Sequence, residues 1–238
     1  MYEELKLTRL IQNLEQVIEQ FPEHRSGKNS QYELADAGMG ALSVFFTQCP
    51  SFLARQQELK LLKGRSNAEK LFELREIPSD NQIRNLLDPV DPTNLGRFYR
   101  QTFQALEETG ILKRFRSYSN QVLVALDGTE YFSSKKIHCE NCSQRTLQDG
   151  KTNYFHSALT PVIVQAGNEH VLSLEPEFIV PQDGHEKQDC EIQAGKRWLE
   201  KNGEYYAKRG VTLLGDDLYS RQPFCQAVKD KYLHFILL

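Results

Sequence analysis

The feature that most constrains this chain is a change of hydrophobic period near residue 118. Before it, apolar residues recur at helical spacing; after it, they gather into short β-rich runs. In the first part, Leu5, Leu7, Leu10, Ile11, Leu14, Val17, Ile18 and Phe21 define a helix that Pro22 ends. A second helix is expected over 32–47, where Leu34, Ala35, Met39, Leu42 and Phe46 share a face ahead of Pro50, and a third over about 51–62. "IPSDNQIRNLLDPVDP" reads as a short helix with Ser79 at its N-cap, Ile83, Leu86 and Leu87 on its apolar side, and Pro89 as its stop. A further helix, about 93–110, carries Leu95, Phe98, Tyr99, Phe103 and Leu106, with Gly110 placed to cap its end.

After residue 118, "QVLVALDGT" and "ALTPVIVQ" are β-rich, and "EHVLSLEPEF" alternates in places. "AGNE" between the last two is a hairpin turn by composition. A helix over about 186–202, with Ile192, Gly195 and Leu199 on one side, precedes the strand "GVTLLGDD"; the helix "RQPFCQAVKD" and the strand "KYLHFILL" follow. The order β-β-β-α-β-α-β predicts a mixed sheet with helices packed on its faces, an α+β or α/β architecture. Residues 1–118 are thus expected to be a helical region and 119–238 a sheet domain, with no repeats or low-complexity tract.

A chain of 238 residues can bury a real core as one large domain or two modest ones. Its net charge of −3 gives no global nucleic-acid signature. Two stretches have a local excess of three positive charges: 51–75 (Arg55, Lys60, Lys63, Arg65, Lys70 and Arg75 against Glu58, Glu69 and Glu73) and 97–116 (Arg97, Arg100, Lys113, Arg114 and Arg116 against Glu107 and Glu108). They are either phosphate-binding patches or solvated helix faces. No run reaches the roughly 20 apolar residues of a membrane span. "MYEELKLTRL" has no apolar leader core, so no secretory signal is expected. Five cysteines, odd in number and scattered, fit reduced thiols in the cytoplasm.

Asp127 ends one apolar strand in "LVALDGT", and Asp216 and Asp217 follow another in "VTLLGDDLYSRQPF". Strand ends carry acids for turn and capping reasons too. If the two strands are neighbours, however, Asp127 and an acid of the second pair converge at one sheet edge. Carboxylates that close repel, and a hard divalent cation, Mg²⁺ or Mn²⁺, relieves the repulsion. Two such ions about 4 Å apart clamp the attacking and leaving oxygens of a phosphodiester.

The chain resembles, over almost its whole length, the N-terminal part of DDE-type transposases of bacterial insertion sequences, which have a ribonuclease H-like catalytic fold. The segments that carry the resemblance are "ADAGMGALSVFFTQCPSFLARQQ", "IPSDNQIRNLLD", "LDGTEYFSSKKIHCENC", "YFHSAL", "VPQDGHEKQDCE" and "DDLYSRQPF". "LDGT" matches the family's Asp-x-Thr motif and implies Asp127 as the first catalytic acid. Asp216, with Tyr219 three positions on, matches the second motif better than Asp217 does. The resemblance implies Mg²⁺ or Mn²⁺ held by Asp127 and Asp216, cleavage of DNA by water, and strand transfer by a 3′-hydroxyl. It also implies double-stranded DNA (element ends and target) as partner, a homo-oligomer in the synaptic complex, and a cytoplasmic, nucleoid-associated, non-membrane location. The family's third acid, a glutamate on a helix after the last strand, has no counterpart in that place. The sequence is therefore expected to be a truncated or interrupted transposase, weakly active or inactive alone. The alternative is a non-catalytic DNA-binding or dimerising remnant that regulates the full-length enzyme.

Cys139 and Cys142 have zinc-ligand spacing, but one C-x-x-C is half a site. Completing ligands would be Cys190 and one of His138, His156 or His185; His156 and Cys190 both lie in segments that carry the resemblance. The options are a structural Zn²⁺ held by Cys139, Cys142, His156 and Cys190, or reduced structural cysteines in an ordered loop. Cys49 and Cys225 are expected as core thiols, His170 and His234 as packing residues on strands, and Trp198 as core. Thr129 is assigned to its strand rather than to a hydrogen bond near the metal site, Lys135 and Lys136 are either phosphate contacts or ordinary surface lysines, and Asp189 and Glu191 suit the start of their helix, where acids are favourable.

Overall fold

The computed structural model describes residues 3–26, 31–61, 70–74, 77–181 and 190–237. It is a mixed α+β structure in two compact units, Met1–Leu106 and Glu107–Leu238. The period changes at 118, but the units divide earlier: Leu112 and Phe115, in a 3-10 helix over Ile111–Phe115, are buried in the second unit.

The first unit holds α1 (Leu7–Ile18), α2 (Leu34–Phe46), α3 (Phe52–Lys60), α4 (Asp80–Leu87) and all but the last two residues of α5 (Gly96–Glu108), which follow the expected helices closely. Ile11, Ile18, Ala37, Met39, Phe72, Ile77 and Ile83 meet in one core. Ser79 caps α4 as its sequence predicts. Its hydroxyl accepts from the Gln82 N–H at 3.4 Å, and the Gln82 side chain accepts from the Ser79 N–H at 2.9 Å. Gly110 adopts φ 73° beyond α5, the left-handed conformation of a helix stop.

The second unit holds two sheets. The larger contains β1 (Val122–Ala125), β5 (Val162–Val164), β6 (Leu172–Ser173), β8 (Val211–Gly215) and β9 (His234–Leu237), in the order β6-β5-β1-β8-β9. The β1–β5 and β5–β6 pairs are antiparallel, and β1–β8 and β8–β9 are parallel. With α6 (Glu191–Ala207) and α7 (Gln222–Asp230) between its last strands, this sheet keeps the β-β-β-α-β-α-β order. Val122 and Val124 of β1 and Val211 and Leu213 of β8 are buried and the residues between them are at most half-exposed, which is why both central parallel strands read as mostly apolar runs.

The second sheet corrects the sequence reading. Each of the three β-rich runs expected as one strand is shared between the two sheets. "QVLVALDGT" gives β1, then turns at Leu126–Asp127 into β2 (Gly128–Ser134). β4 (Thr152–Leu159) passes through Thr160 and Pro161 into β5, and β6 gives way across Pro176 to β7 (Glu177–Ile179). Proline has no N–H for a ladder, so Pro161 and Pro176 are natural places for a strand to change sheets. β3 (Ser143–Thr146) completes the smaller sheet, in which β4 pairs with β2 on one side and with β3 and then β7 on the other.

α6 docks this sheet through ion pairs to a buried acid. Glu177, 8% exposed, accepts from Arg197 Nε at 2.9 Å and from Lys201 Nζ at 2.7 Å. Fully buried Trp198 donates its indole N–H to the Glu175 carbonyl at 2.9 Å and stacks on Tyr206. The start of the expected helix over 186–202, with Asp189, lies outside the described residues; its end runs on to Ala207. His170 and His234 are exposed, not packed, and Cys49 and Cys225 are half-buried rather than core. Among the described residues, no helix is long and apolar enough to cross a membrane.

Candidate functional site

Asp127 and Asp216 stand at the same end of neighbouring parallel strands. Ala125 pairs with Leu214 as the last register pair of β1 and β8, and the acids follow two positions later on each strand. Adjacent strands lie about 4.8 Å apart, so the register alone makes them neighbours at the sheet edge. Both are exposed. The backbone around each is fixed. The Asp127 carbonyl accepts from the Thr160 N–H at 2.9 Å and from its hydroxyl at 3.2 Å. Asp216 Oδ1 accepts from the Leu218 N–H at 3.0 Å, capping a 3-10 helix over Asp217–Tyr219. Asp217 lies inside that turn and bonds Ser220 instead, which separates its role from that of Asp216. Thr129 lies in β2, its hydroxyl 3.0 Å from that of Thr160.

Glu191 is the residue that sequence reasoning missed here. It opens α6, where an acid suits the helix dipole, but its carboxylate reaches the acid edge. Tyr219, fully buried as a side chain, donates its hydroxyl to Glu191 Oε1 at 2.5 Å. The carboxylate also lies against Gly128, the residue after Asp127; a Cβ there would stand 2.7 Å from Glu191 Cδ. Burial, the hydrogen bond to Glu191, and the charges of Glu191, Asp127 and Asp216 all push the Tyr219 phenol well above its ordinary range. It therefore stays protonated and keeps donating. Asp127, Asp216 and Glu191 are hard oxygen donors suited to Mg²⁺ or Mn²⁺. They are not gathered into a closed cage: among the described residues, the group of three acid, thiol or imidazole donors lying within 4.8 Å of one another is a different one.

That group is Cys139, Cys142 and His156. The two sulfurs are 3.8 Å apart, and each is 3.3 Å from His156 Nε2. Cys142 is buried, Cys139 exposed and His156 half-buried. Burial pushes the Cys139 thiol up and the His156 imidazole down, favouring the neutral form of each. Cys190 is not in the group; it precedes α6, whose first turn faces Gly128 and Tyr219. Gly128 lies four residues along β2 from Phe132, the partner of His156, or about 13 Å. His138 stacks on Tyr154 instead, and His185 lies outside the described residues.

The expected phosphate patches change in content. Arg55 is 4% exposed and pairs with Glu58, so it is a structural cation and not a surface contact. Lys63, Arg65, Glu69 and Arg75 lie outside the described residues. Of the 97–116 set, Arg97 and Arg100 fall in the first unit and the other three in the second. Arg116 is spent on the carbonyls of Asn120 and Arg209, while Lys113 and Arg114 are exposed. Lys135 and Lys136 are exposed as well, Lys135 lying 3.7 Å from Asp149. Comparison with known proteins finds no matching family model, curated protein or solved structure.

Proposed function

We propose that the chain is a DDE-type DNA transposase acting at the edge formed by Asp127, Asp216 and Glu191, on a ribonuclease H-like sheet. The register of β1 and β8 carries this reading: it brings the "LDGT" acid and the "DDLY" acid to one edge although 88 residues separate them in sequence. The β-β-β-α-β-α-β order of the larger sheet supports the fold assignment.

Asp127 and Asp216 supply oxygen donors on fixed backbone, and Tyr219 holds Glu191 beside them as a third carboxylate. A divalent Mg²⁺ or Mn²⁺ ion bound by such donors supplies charge neutralisation for the phosphodiester and its attacking and leaving oxygens. In the reaction, a water oxygen bonds to phosphorus as the bond to the 3′-oxygen breaks, leaving a 3′-hydroxyl. That hydroxyl then attacks a target phosphodiester, exchanging one P–O bond for another. Exposed acids at an open edge leave room for a duplex to approach.

The test is Mg²⁺-dependent nicking and strand joining with DNA carrying the element's ends, using the full chain and Asp127→Asn. Cleavage that Asp127→Asn abolishes is the expected result. Salt-sensitive DNA binding with no cleavage in Mg²⁺ or Mn²⁺ would replace this reading with a non-catalytic regulator. An absence of both would remove the transposase reading.

A further inference from the structure

We propose that Cys139, Cys142 and His156 hold one Zn²⁺ ion that clips the β2–β3 connection onto β4, a structural centre separate from the acid edge. The distances carry the choice of ion. Zinc at about 2.3 Å from sulfur and about 2.0 Å from nitrogen, with tetrahedral angles, sets S···S near 3.8 Å and S···N near 3.5 Å. The observed triangle is 3.8, 3.3 and 3.3 Å, within about 0.2 Å on every edge. Hydrogen bonding accounts for the triangle less well. His156 Nε2 has either one lone pair or one hydrogen, yet it faces two sulfurs at equal distance. A cation at the centre serves all three donors at once. Two sulfurs and an imidazole select a borderline-soft ion over Mg²⁺ or Ca²⁺.

The surroundings are those of a built site. The Cys139 N–H points to Cys142 Sγ at 3.3 Å, and the Cys142 N–H returns to the Cys139 carbonyl at 3.2 Å, so the C-x-x-C turn presents both sulfurs to one side. Tyr131 stacks on the His156 ring with centroids 5.8 Å apart and planes 12° apart, and Phe132 flanks it at 5.5 Å, fixing its orientation.

Position in the sheet gives the ion its role. On one side of β4, Phe155 pairs with Ser143 of β3 and Ser157 with Ile179 of β7. His156 sits where the partner changes, at a break in the ladder. The thiol turn ends at Cys142, immediately before β3 begins. An ion there replaces the missing rung and ties a loop with no ladder bonds of its own to the sheet's central strand. Three protein donors leave one position of a tetrahedral ion to a further ligand.

The test begins with metal analysis of the full chain, purified in reductant without chelator. About one zinc per chain is expected. Exchange for Co²⁺ should add a thiolate-to-cobalt charge-transfer absorption in the near ultraviolet. The double variant Cys139→Ser/Cys142→Ser should lose both signals, and Cys225→Ser should keep both. To remove dependence on the double variant's folding, the unaltered chain is stripped by chelator and titrated with Zn²⁺. Two thiols should then become protected from maleimide and the melting temperature should rise. The proposal is overturned if the stripped, reduced chain takes up no zinc, if the double variant retains it, or if Cys139 and Cys142 form a disulfide in place of binding metal. None of these readouts depends on DNA cleavage, so this proposal and the transposase reading fail separately.

Discussion

The acid edge and the thiol–imidazole cluster sit in one unit and are built in opposite ways. At the acid edge the fold fixes backbone: strand register, the Thr160 latch on the Asp127 carbonyl and the turn that caps at Asp216. The Asp127 and Asp216 carboxylates stay exposed, and the three acids are ungathered. At the cluster the side chains themselves are packed, three donor atoms touching beneath aromatic rings. Charge explains the contrast. Thiols and imidazole can be brought into contact at smaller cost than carboxylates, whose like charges repel until a cation joins them. A preformed site suits an ion that stays; an open one suits ions and a substrate that come and go.

The strongest way to break this contrast is Asp127→Asn. On the proposed reading, cleavage falls by about 10²–10³-fold while zinc content and melting temperature hold. A loss of zinc in the same variant would mean that the two sites are one. Next comes the frame that holds the smaller sheet against α6. Glu177→Ala leaves Arg197 and Lys201 without their shared partner. Because both cations reach solvent, the expected cost is about 2 kcal/mol, measured as a lower urea midpoint. Tyr219→Phe removes a donor that orients Glu191 and should cost about 1.5 kcal/mol, with a fall in cleavage rate. Gly128→Ala acts on the same bond: the added Cβ pushes the Glu191 carboxylate away and leaves the buried Tyr219 hydroxyl without that partner, so a similar cost of about 1–2 kcal/mol is expected. Cleavage should drop as well; an unchanged rate would take Glu191 out of the site.

The sequence announces what depends on local pattern. β1 and β8 are legible because buried parallel strands must be apolar throughout, and α4 because Ser79 and Gln82 form a capping pair. The thiols are legible because the turn that joins them is local. The smaller sheet is not, since "GTEYFSS" and "SQRT" lie largely at the surface and carry no apolar alternation to betray a strand. Nor is Glu191: in sequence it is a helix-start acid like many others, and only tertiary placement beside Gly128 and Tyr219 gives it another meaning. Arg55 shows the reverse error. It reads as a surface charge, and the fold buries it beside Glu58.

The two sites also differ in when they can exist. Thr146 pairs with Thr152, and Ser134 with Tyr154, so the smaller sheet closes over short stretches of chain. Val122 must wait for Val211 before β1 and β8 can join. Contacts near in sequence form early and distant ones late. During synthesis, the thiols and His156 can therefore assemble while Asp216 is still unmade. The acid edge is completed only when β8 has found β1.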